Sequence, residues 1–274
     1  MTRLLQGSLS PEIVEKLDRM NKNSVTKGVI LAAGRGSRMG RLTADKPKSL
    51  FEVDRKPLIE TQIEAIRQND IAEIGIVTGY KSELLSGYGS VQFFNDSWSE
   101  TQMVSSLECA SEWLEDSNFI VSYSDIFYSQ EAVGLLVDQD AEIAITYDKN
   151  WLEHWSERFC EPLSDAESFS ITSDGFLHDI GRKGVSLNQI NGQFMGLLYF
   201  SSVGWSKIQK LRAANTKEKN RLQDMTNLLQ QAITSGKLKV KAVAYSGMWG
   251  ELDTPDDLAI YAHKKRFVKH QVVS

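Results

Sequence analysis

Apolar residues fall in short bursts along the chain, and the bursts alternate between two periods. Gly28-Val29-Ile30-Leu31-Ala32-Ala33 is an almost unbroken apolar run, as a strand buried on both faces carries. Leu58, Ile59, Ile63 and Ile66 recur at helical spacing, and Ile74, Ile76 and Val77 mark a second strand ending at Gly79. Strand, helix, strand is a βαβ unit, which requires a parallel sheet. The alternation continues with strands at 91–94, 119–123 and 143–147 and helices at 103–114 and 132–137. Later, segments 168–172 and 176–180 flank Ser173-Asp174-Gly175, a hairpin signal, and residues 194–201 read as a strand. Helices at 205–214 and 222–234, a strand at 238–244 and a helix after Thr254 complete the pattern. The expected fold is α/β: a mixed, mainly parallel sheet with helices on both faces and a β-rich lid from the second half. Ligands of such sheets sit beyond the carboxyl ends of the strands.

The first segment stands apart. Ser10 and Pro11 suit an N-cap and first helical position, and Ile13, Val14, Leu17 and Met20 follow at helical spacing. Residues 1–24 are therefore expected to be an amphipathic helical extension of a domain at 25–274. Such a helix packs either on that domain or on a second subunit of a homodimer.

Composition narrows the classes. The chain has 274 residues, 41% hydrophobic and 24% charged, which is ordinary for a globular protein and excludes wholesale disorder. With 31 basic and 36 acidic residues the net charge is −5, so the basic excess of a nucleic-acid binder is missing. Cys109 and Cys160 are too few for a disulfide framework. No apolar run approaches the roughly 18 residues that span a bilayer, and no continuous signal-peptide core is visible. The expectation is a cytoplasmic protein without membrane insertion.

The informative stretch is Leu31-Ala32-Ala33-Gly34-Arg35-Gly36-Ser37-Arg38-Met39, followed by Lys46-Pro47-Lys48. It leaves a buried strand as a loop of small residues, whose successive N–H groups can form an anion nest. Arg35, Arg38, Lys46 and Lys48 add positive charge, and a triphosphate is a natural occupant. A dinucleotide fingerprint fits poorly: the third glycine, Gly40, is one place late, and a Pro-containing basic loop replaces the helix. The phosphate loop G-x-x-x-x-G-K-[ST] is absent.

These residues resemble the signature of the nucleotidyltransferases that join nucleoside triphosphates to phosphorylated small molecules, a family of Rossmann-like fold. The resemblance runs from about Val25 to the C-terminal helix. Within the family the chain looks most like bacterial phosphocholine cytidylyltransferases and their phosphonate- and capsule-modifying relatives. Val77-Thr78-Gly79-Tyr80, Phe94-Asn95-Asp96, the segment 101–107, Ser124-Asp125 and Glu251-Leu252-Asp253 carry that likeness. Sugar-phosphate enzymes usually have Gly-Thr-Ala where this chain has Gln102-Met103-Val104. Gln102 also departs from the Asn-rich text of choline-type enzymes, which leaves the acceptor open.

The resemblance implies a Mg²⁺-dependent transfer of CMP from CTP to a small phosphorylated or phosphonate acceptor, with release of pyrophosphate. The acceptor would be phosphocholine-like, aminoethylphosphonate-like or an amino-acid phosphate, and the product would feed capsule or surface polysaccharide. It assigns Arg38 to the leaving β- and γ-phosphates and Lys48 to the α-phosphate and incoming oxygen. Nucleotide contacts fall to Leu31, Ala32, Ala33, Gly34, Arg35, Gly36 and Ser37. Gly79, Tyr80, Gln102 and Ser105 complete that set. Asp125 and Asp253 would hold the magnesium. Asp125 follows the strand at 119–123. Thr254, Pro255 and Asp257 read as cap, first position and capping acid of the next helix, leaving Asp253 without a structural duty. Two carboxylates plus phosphate oxygens suit Mg²⁺.

At the acceptor end, choline-type enzymes use aromatic faces around a quaternary ammonium, and Tyr147, Trp151, Trp155 and Met195 are the matching candidates. Trp151 and Trp155, four apart, would equally form one buried helix face. Arg158, Arg182 and Lys183 could meet an acceptor anion or remain solvated, and the four histidines form no group. Two other functions stay open. One is a sugar-1-phosphate nucleotidyltransferase using UTP or dTTP. The other is a catalytically idle nucleotide-binding subunit, whose mark would be loss of Arg38, Lys48, Asp125 or Asp253; all four are present.

Overall fold

A computed structural model describes residues 24–263, so the helix expected at 10–20 lies outside the described residues. The chain opens with β1 (Val25–Ala32), the glycine loop and two 3₁₀ turns, Ser37–Thr43 and Lys48–Leu50. A small hairpin, β2 (Glu52–Val53) and β3 (Lys56–Pro57), precedes α1 (Leu58–Arg67), β4 (Glu73–Thr78) and β5 (Val91–Phe94). Then come α2 (Met103–Glu108), α3 (Ser111–Leu114), β6 (Asn118–Tyr123) and β7 (Ile126–Tyr128). After α4 (Gln130–Val137) and β8 (Ile143–Asp148) follow α5 (Trp151–Arg158), β9 (Phe169–Ile171) and β10 (Leu177–Ile180). The last elements are β11 (Gln193–Phe200), α6 (Ser202–Ala213), α7 (Lys217–Arg221), α8 (Met225–Thr234), β12 (Val240–Tyr245), β13 (Trp249–Glu251) and α9 (Pro255–His263).

Seven strands form one sheet in the order β12-β8-β11-β6-β1-β4-β5. All neighbours pair in parallel except β11, which runs antiparallel between β6 and β8. The carboxyl ends of the other six strands therefore share one edge. The apolar run in β1 is unbroken because both faces are covered. Val29 and Leu31 pack with Leu107 of α2, Ile208 of α6 and Leu228 of α8. Ile30 and Ala32 pack with Ile59 and Ile66 of α1 and Val133 of α4. The β-rich lid reduces to the β9–β10 hairpin, turned at Gly175. Among the described residues no helix is long and apolar enough to cross a membrane.

The structure redraws two helices and adds a ribbon. The expected helix at 103–114 breaks between α2 and α3, where the Cys109 and Ala110 amides fall back to carbonyls three residues earlier. The expected helix at 222–234 begins at Met225, because the Asp224 carboxylate caps it by accepting the Asn227 N–H at 2.8 Å. The ribbon pairs β7 with β13 antiparallel, Glu251 opposite Ile126. Three-residue strands are too short to show a period, so the hydropathy pattern is silent about both.

Candidate active site

The glycine loop owes its path to two close approaches. Gly36 has φ +73°, and a Cβ there would lie 2.7 Å from Lys48 Cε, so the chain can turn against that lysine only at a residue without one. Gly79, at the end of β4, has Ala33 O and the Trp98 side chain where its Cβ would be, at 2.8 and 2.6 Å. The next residue clamps the loop: the Tyr80 N–H donates to Ala33 O at 2.9 Å, and its hydroxyl lies 2.8 Å from the Thr43 and Ala44 carbonyls.

The β7–β13 ribbon closes the distance between residues far apart in sequence. The Leu252 N–H donates to Asp125 O at 2.8 Å, which sets Asp125 and Asp253 side by side. Lys48 reaches both, its ammonium donating at 2.9 Å to Asp125 Oδ2 and at 2.9 Å to Asp253 Oδ1. Arg38 reaches the other Asp253 oxygen from the solvent side. Burial works against the Lys48 charge, but the two aspartates outweigh it and hold the ammonium above its ordinary value. Glu251 joins them: oxygens of Asp125, Glu251 and Asp253 lie within 4.8 Å of one another. Burial pushes Glu251 up to about 7 against the pull of Arg158, with the two aspartates adding to the rise. Asp125 Oδ1 is buried and has no hydrogen-bond partner among the described residues. A buried carboxylate oxygen without a donor, beside two further carboxylates, is a donor set that suits a divalent cation of the Mg²⁺ type.

A second layer fixes this cluster. Asp257 Oδ2 accepts the backbone N–H groups of Asp253 and Thr254 at 2.9 and 2.8 Å. Its other oxygen accepts Arg158 Nε at 2.8 Å, while Arg158 Nη1 donates to Glu251 Oε2 at 3.1 Å. Burial raises the Asp257 carboxyl, but the hydrogen bond and charge of Arg158, with those N–H donors, hold it below its ordinary value. Arg158 is 3% exposed, so it is neither solvated nor open to an acceptor: it ties α5 to α9.

A cleft of about 180 Å³ opens beside the cluster. Leu31, Ala33, Gly34, Gly36, Gln102 and Asp125 line it with Lys48. Ala32 turns to the opposite face of β1 and is buried in the core. Ser37 is exposed, and the Arg35 guanidinium lies over the Tyr80 ring at 5.7 Å. Ser105 does not reach the cleft: its hydroxyl donates to Asn220 O at 3.2 Å, and the next residue, Ser106, lines the wall instead. Trp98, Thr101 and Tyr123 also line it without having been expected. For Trp98 there was a signal, a lone aromatic in the polar stretch 95–102.

The acceptor candidates sit elsewhere. Tyr147, Trp151, Trp155 and Met195 are all less than a tenth exposed, and none lines this cleft. Trp151 and Trp155 meet edge to face at 6.3 Å, Trp155 Nε1 donates to Asp165 Oδ2 at 3.1 Å, and Tyr147 packs on Phe169. The buried-face reading of the two tryptophans matches this placement. Arg182 is exposed and paired with Asp179, Lys183 pairs with Glu167, and His154 Nδ1 lies 2.7 Å from the buried Asp148 carboxylate. Lys46 Nζ lies over the Phe51 ring, 4.4 Å from its centroid.

Comparison with known proteins adds what geometry does not. Residues 28–226 match the family model of the MobA-like NTP transferase domain. A CTP:phosphoglutamine cytidylyltransferase of Campylobacter jejuni is 34% identical over 254 residues, 86% of this chain and 99% of that protein. A choline-phosphate cytidylyltransferase of Streptococcus pneumoniae is 38% identical over 105 residues, 37% of this chain and 46% of that protein. Among solved structures, the inositol-1-phosphate CTP transferase from T. maritima matches with a TM-score of 0.70. It covers 87% of this chain and 94% of that one at 19% identity, a likeness of fold alone.

Proposed function

The chain belongs to the MobA-like NTP transferase family and is a nucleotidyltransferase, and from that premise we propose that it is a Mg²⁺-dependent cytidylyltransferase. It moves CMP from CTP to a small phosphorylated acceptor and releases pyrophosphate. The acceptor is an amino-acid phosphate of the phosphoglutamine kind, since the relative so named is similar along almost its whole length. The product is an activated headgroup for surface polysaccharide, made in the cytoplasm.

The observation that carries the reading is the buried Lys48 ammonium, set between the glycine loop and two carboxylates. An acceptor phosphate oxygen attacks the α-phosphorus of CTP; the new P–O bond forms as the bond to the β-phosphate oxygen breaks. Such a transfer needs positioning and charge neutralisation more than proton transfer. The loop N–H groups and Arg38 bind the leaving phosphates. Lys48 holds the α-phosphate and the incoming oxygen together and offsets the charge that gathers there. Asp125 and Asp253, with Glu251 beside them, hold magnesium, which when bound draws negative charge off the phosphates. Arg158 and Asp257 keep those carboxylates in place.

The test is a pyrophosphate-release screen of CTP, UTP, dTTP, ATP and GTP against phosphoglutamine, phosphocholine, aminoethylphosphonate and glucose 1-phosphate. CTP with phosphoglutamine should be the fastest pair. Preference for UTP or dTTP with the sugar phosphate would overturn the proposal.

A further inference from the structure

The rim of the cleft on the β4–β5 side carries an aromatic side chain that phosphate chemistry does not use. Trp98 lines the cleft and is half-buried. Its indole meets the Tyr80 ring edge to face, centroids 5.3 Å apart and planes at 62°, and stands over Gly79, where no side chain obstructs it. The turn that presents it is cross-linked by hydrogen bonds. Asn95, 4% exposed, donates from Nδ2 to Thr101 Oγ1 and Ser106 Oγ at 3.0 Å each, and its Oδ1 accepts the Ser97 N–H. Thr101 Oγ1 donates back to Ser97 O at 2.9 Å, and the Trp98 N–H donates to Asn95 O. A buried asparagine thus staples residues 95–106 together, and the indole is held at the cleft wall before any ligand arrives.

Position in the sheet says what the indole faces. The order β6-β1-β4-β5 puts Asp125, after β6, on one side of the glycine loop and Trp98, after β5, on the other. A nucleotide lying along the loop with its phosphates at Lys48 and Asp125 therefore extends its base toward Trp98. We propose that Trp98 is the stacking platform for the nucleobase, held ready by the Asn95 turn and the Tyr80 ring. The inference rests on the cytidylyltransferase reading above, which names no base contact. Stacking is tolerant of base identity, because every base offers a π face. Trp98 therefore supplies affinity for the nucleoside and not the choice of cytosine. A prepositioned ring also loses little side-chain freedom on binding.

Calorimetric binding of CTP, UTP and inorganic tripolyphosphate to wild type, Trp98→Phe and Trp98→Leu tests this. Leucine keeps apolar packing on Tyr80 and Gly79 but has no π face. Trp98→Leu should weaken CTP and UTP alike by about 10-fold, Trp98→Phe by less than about 3-fold. Tripolyphosphate should bind all three proteins equally, which also reports that the loop is folded. CTP should quench tryptophan fluorescence in wild type and not in Trp98→Phe. Unchanged CTP affinity in Trp98→Leu, or a loss shared by tripolyphosphate, would overturn the proposal. If CTP binding depends on Trp98 but no acceptor is turned over, the cytidylyltransferase reading fails and the stacking stands. If acceptors are turned over while Trp98→Leu binds CTP normally, the stacking alone fails.

Discussion

Two regions at the carboxyl edge of the sheet use charged and aromatic groups in opposite ways. Beside β1 and β6, three carboxylates crowd together around Lys48 and Arg38, and one aspartate oxygen is buried without a donor. At α5, the Trp155 indole N–H is answered by Asp165, Arg158 is answered by Asp257 and Glu251, and the tryptophans are sealed into the core. Unspent hydrogen-bonding capacity in the first region is what a ligand could complete. The matched groups of the second, Trp155 with Asp165 and Arg158 with Asp257 and Glu251, hold two helices together, although the buried Trp249 indole N–H beside them has no partner among the described residues. Arg158 connects them, with its guanidinium over the Trp155 ring at 5.4 Å and a hydrogen bond to Glu251 of the cluster.

The contrast is broken most directly at the charged end. Lys48→Ala should cut turnover by about 10²–10³-fold for every acceptor, chiefly in kcat, because its charge acts on the group being transferred. Asp125→Asn should lose as much, with EDTA abolishing wild-type activity and Mg²⁺ restoring it. Circular dichroism and calorimetric Mg²⁺ titration separate a lost ion from a lost fold. Full activity in EDTA, or wild-type turnover in Asp125→Asn, would remove the charged end from the chemistry.

The connecting residue comes next. Arg158→Met leaves the buried Asp257 and the partly exposed Glu251 with a partner missing, a change that for a buried pair typically costs about 3–5 kcal/mol. In a domain of this size that corresponds to a fall in Tm of roughly 10 °C. Arg158→Lys should rescue little, since one ammonium cannot reproduce the paired contacts to Asp257 together with the one to Glu251. A Tm within about 2 °C of wild type in Arg158→Met would mean that the two regions are not tied.

The same contrast explains what could be read from the chain. The glycine loop and Lys48 are contiguous, and strand-helix alternation places them at a sheet edge, so residues and position arrive together. Asp253 was legible through the family resemblance, with Thr254, Pro255 and Asp257 accounted for as helix-capping residues beside it; Asp257 does reach back to the Thr254 N–H. Glu251 was quoted only as text beside it, since its entry into the cluster depends on a ribbon too short for hydropathy to reveal. Ser105 and Ser106 show the limit of resolution: one step along α2 moves a hydroxyl from the cleft wall to the Asn220 carbonyl. Trp151 and Trp155 were ambiguous because four-residue spacing is shared by a binding face and a core face, and only the packing of α5 decides between them.

The smallest expected effect tests that last decision. Trp151→Leu removes part of a ring that is 4% exposed within the core shared with Trp155 and Trp249. Loss of buried volume, partly refilled by leucine, should cost about 2 kcal/mol, less than a full truncation of an aromatic. Tm should fall by roughly 4–8 °C. The KM for every acceptor should stay within about 2-fold of wild type, because a buried indole has no face to give a ligand. Had the indole met a cationic acceptor, loss of a contact worth about 0.5–2 kcal/mol would raise KM by about 2- to 30-fold for that acceptor alone and leave Tm nearly untouched. Melting and kinetics on one preparation distinguish the outcomes. A raised KM without a lowered Tm would return the tryptophan to the acceptor site and erase the contrast between the two regions.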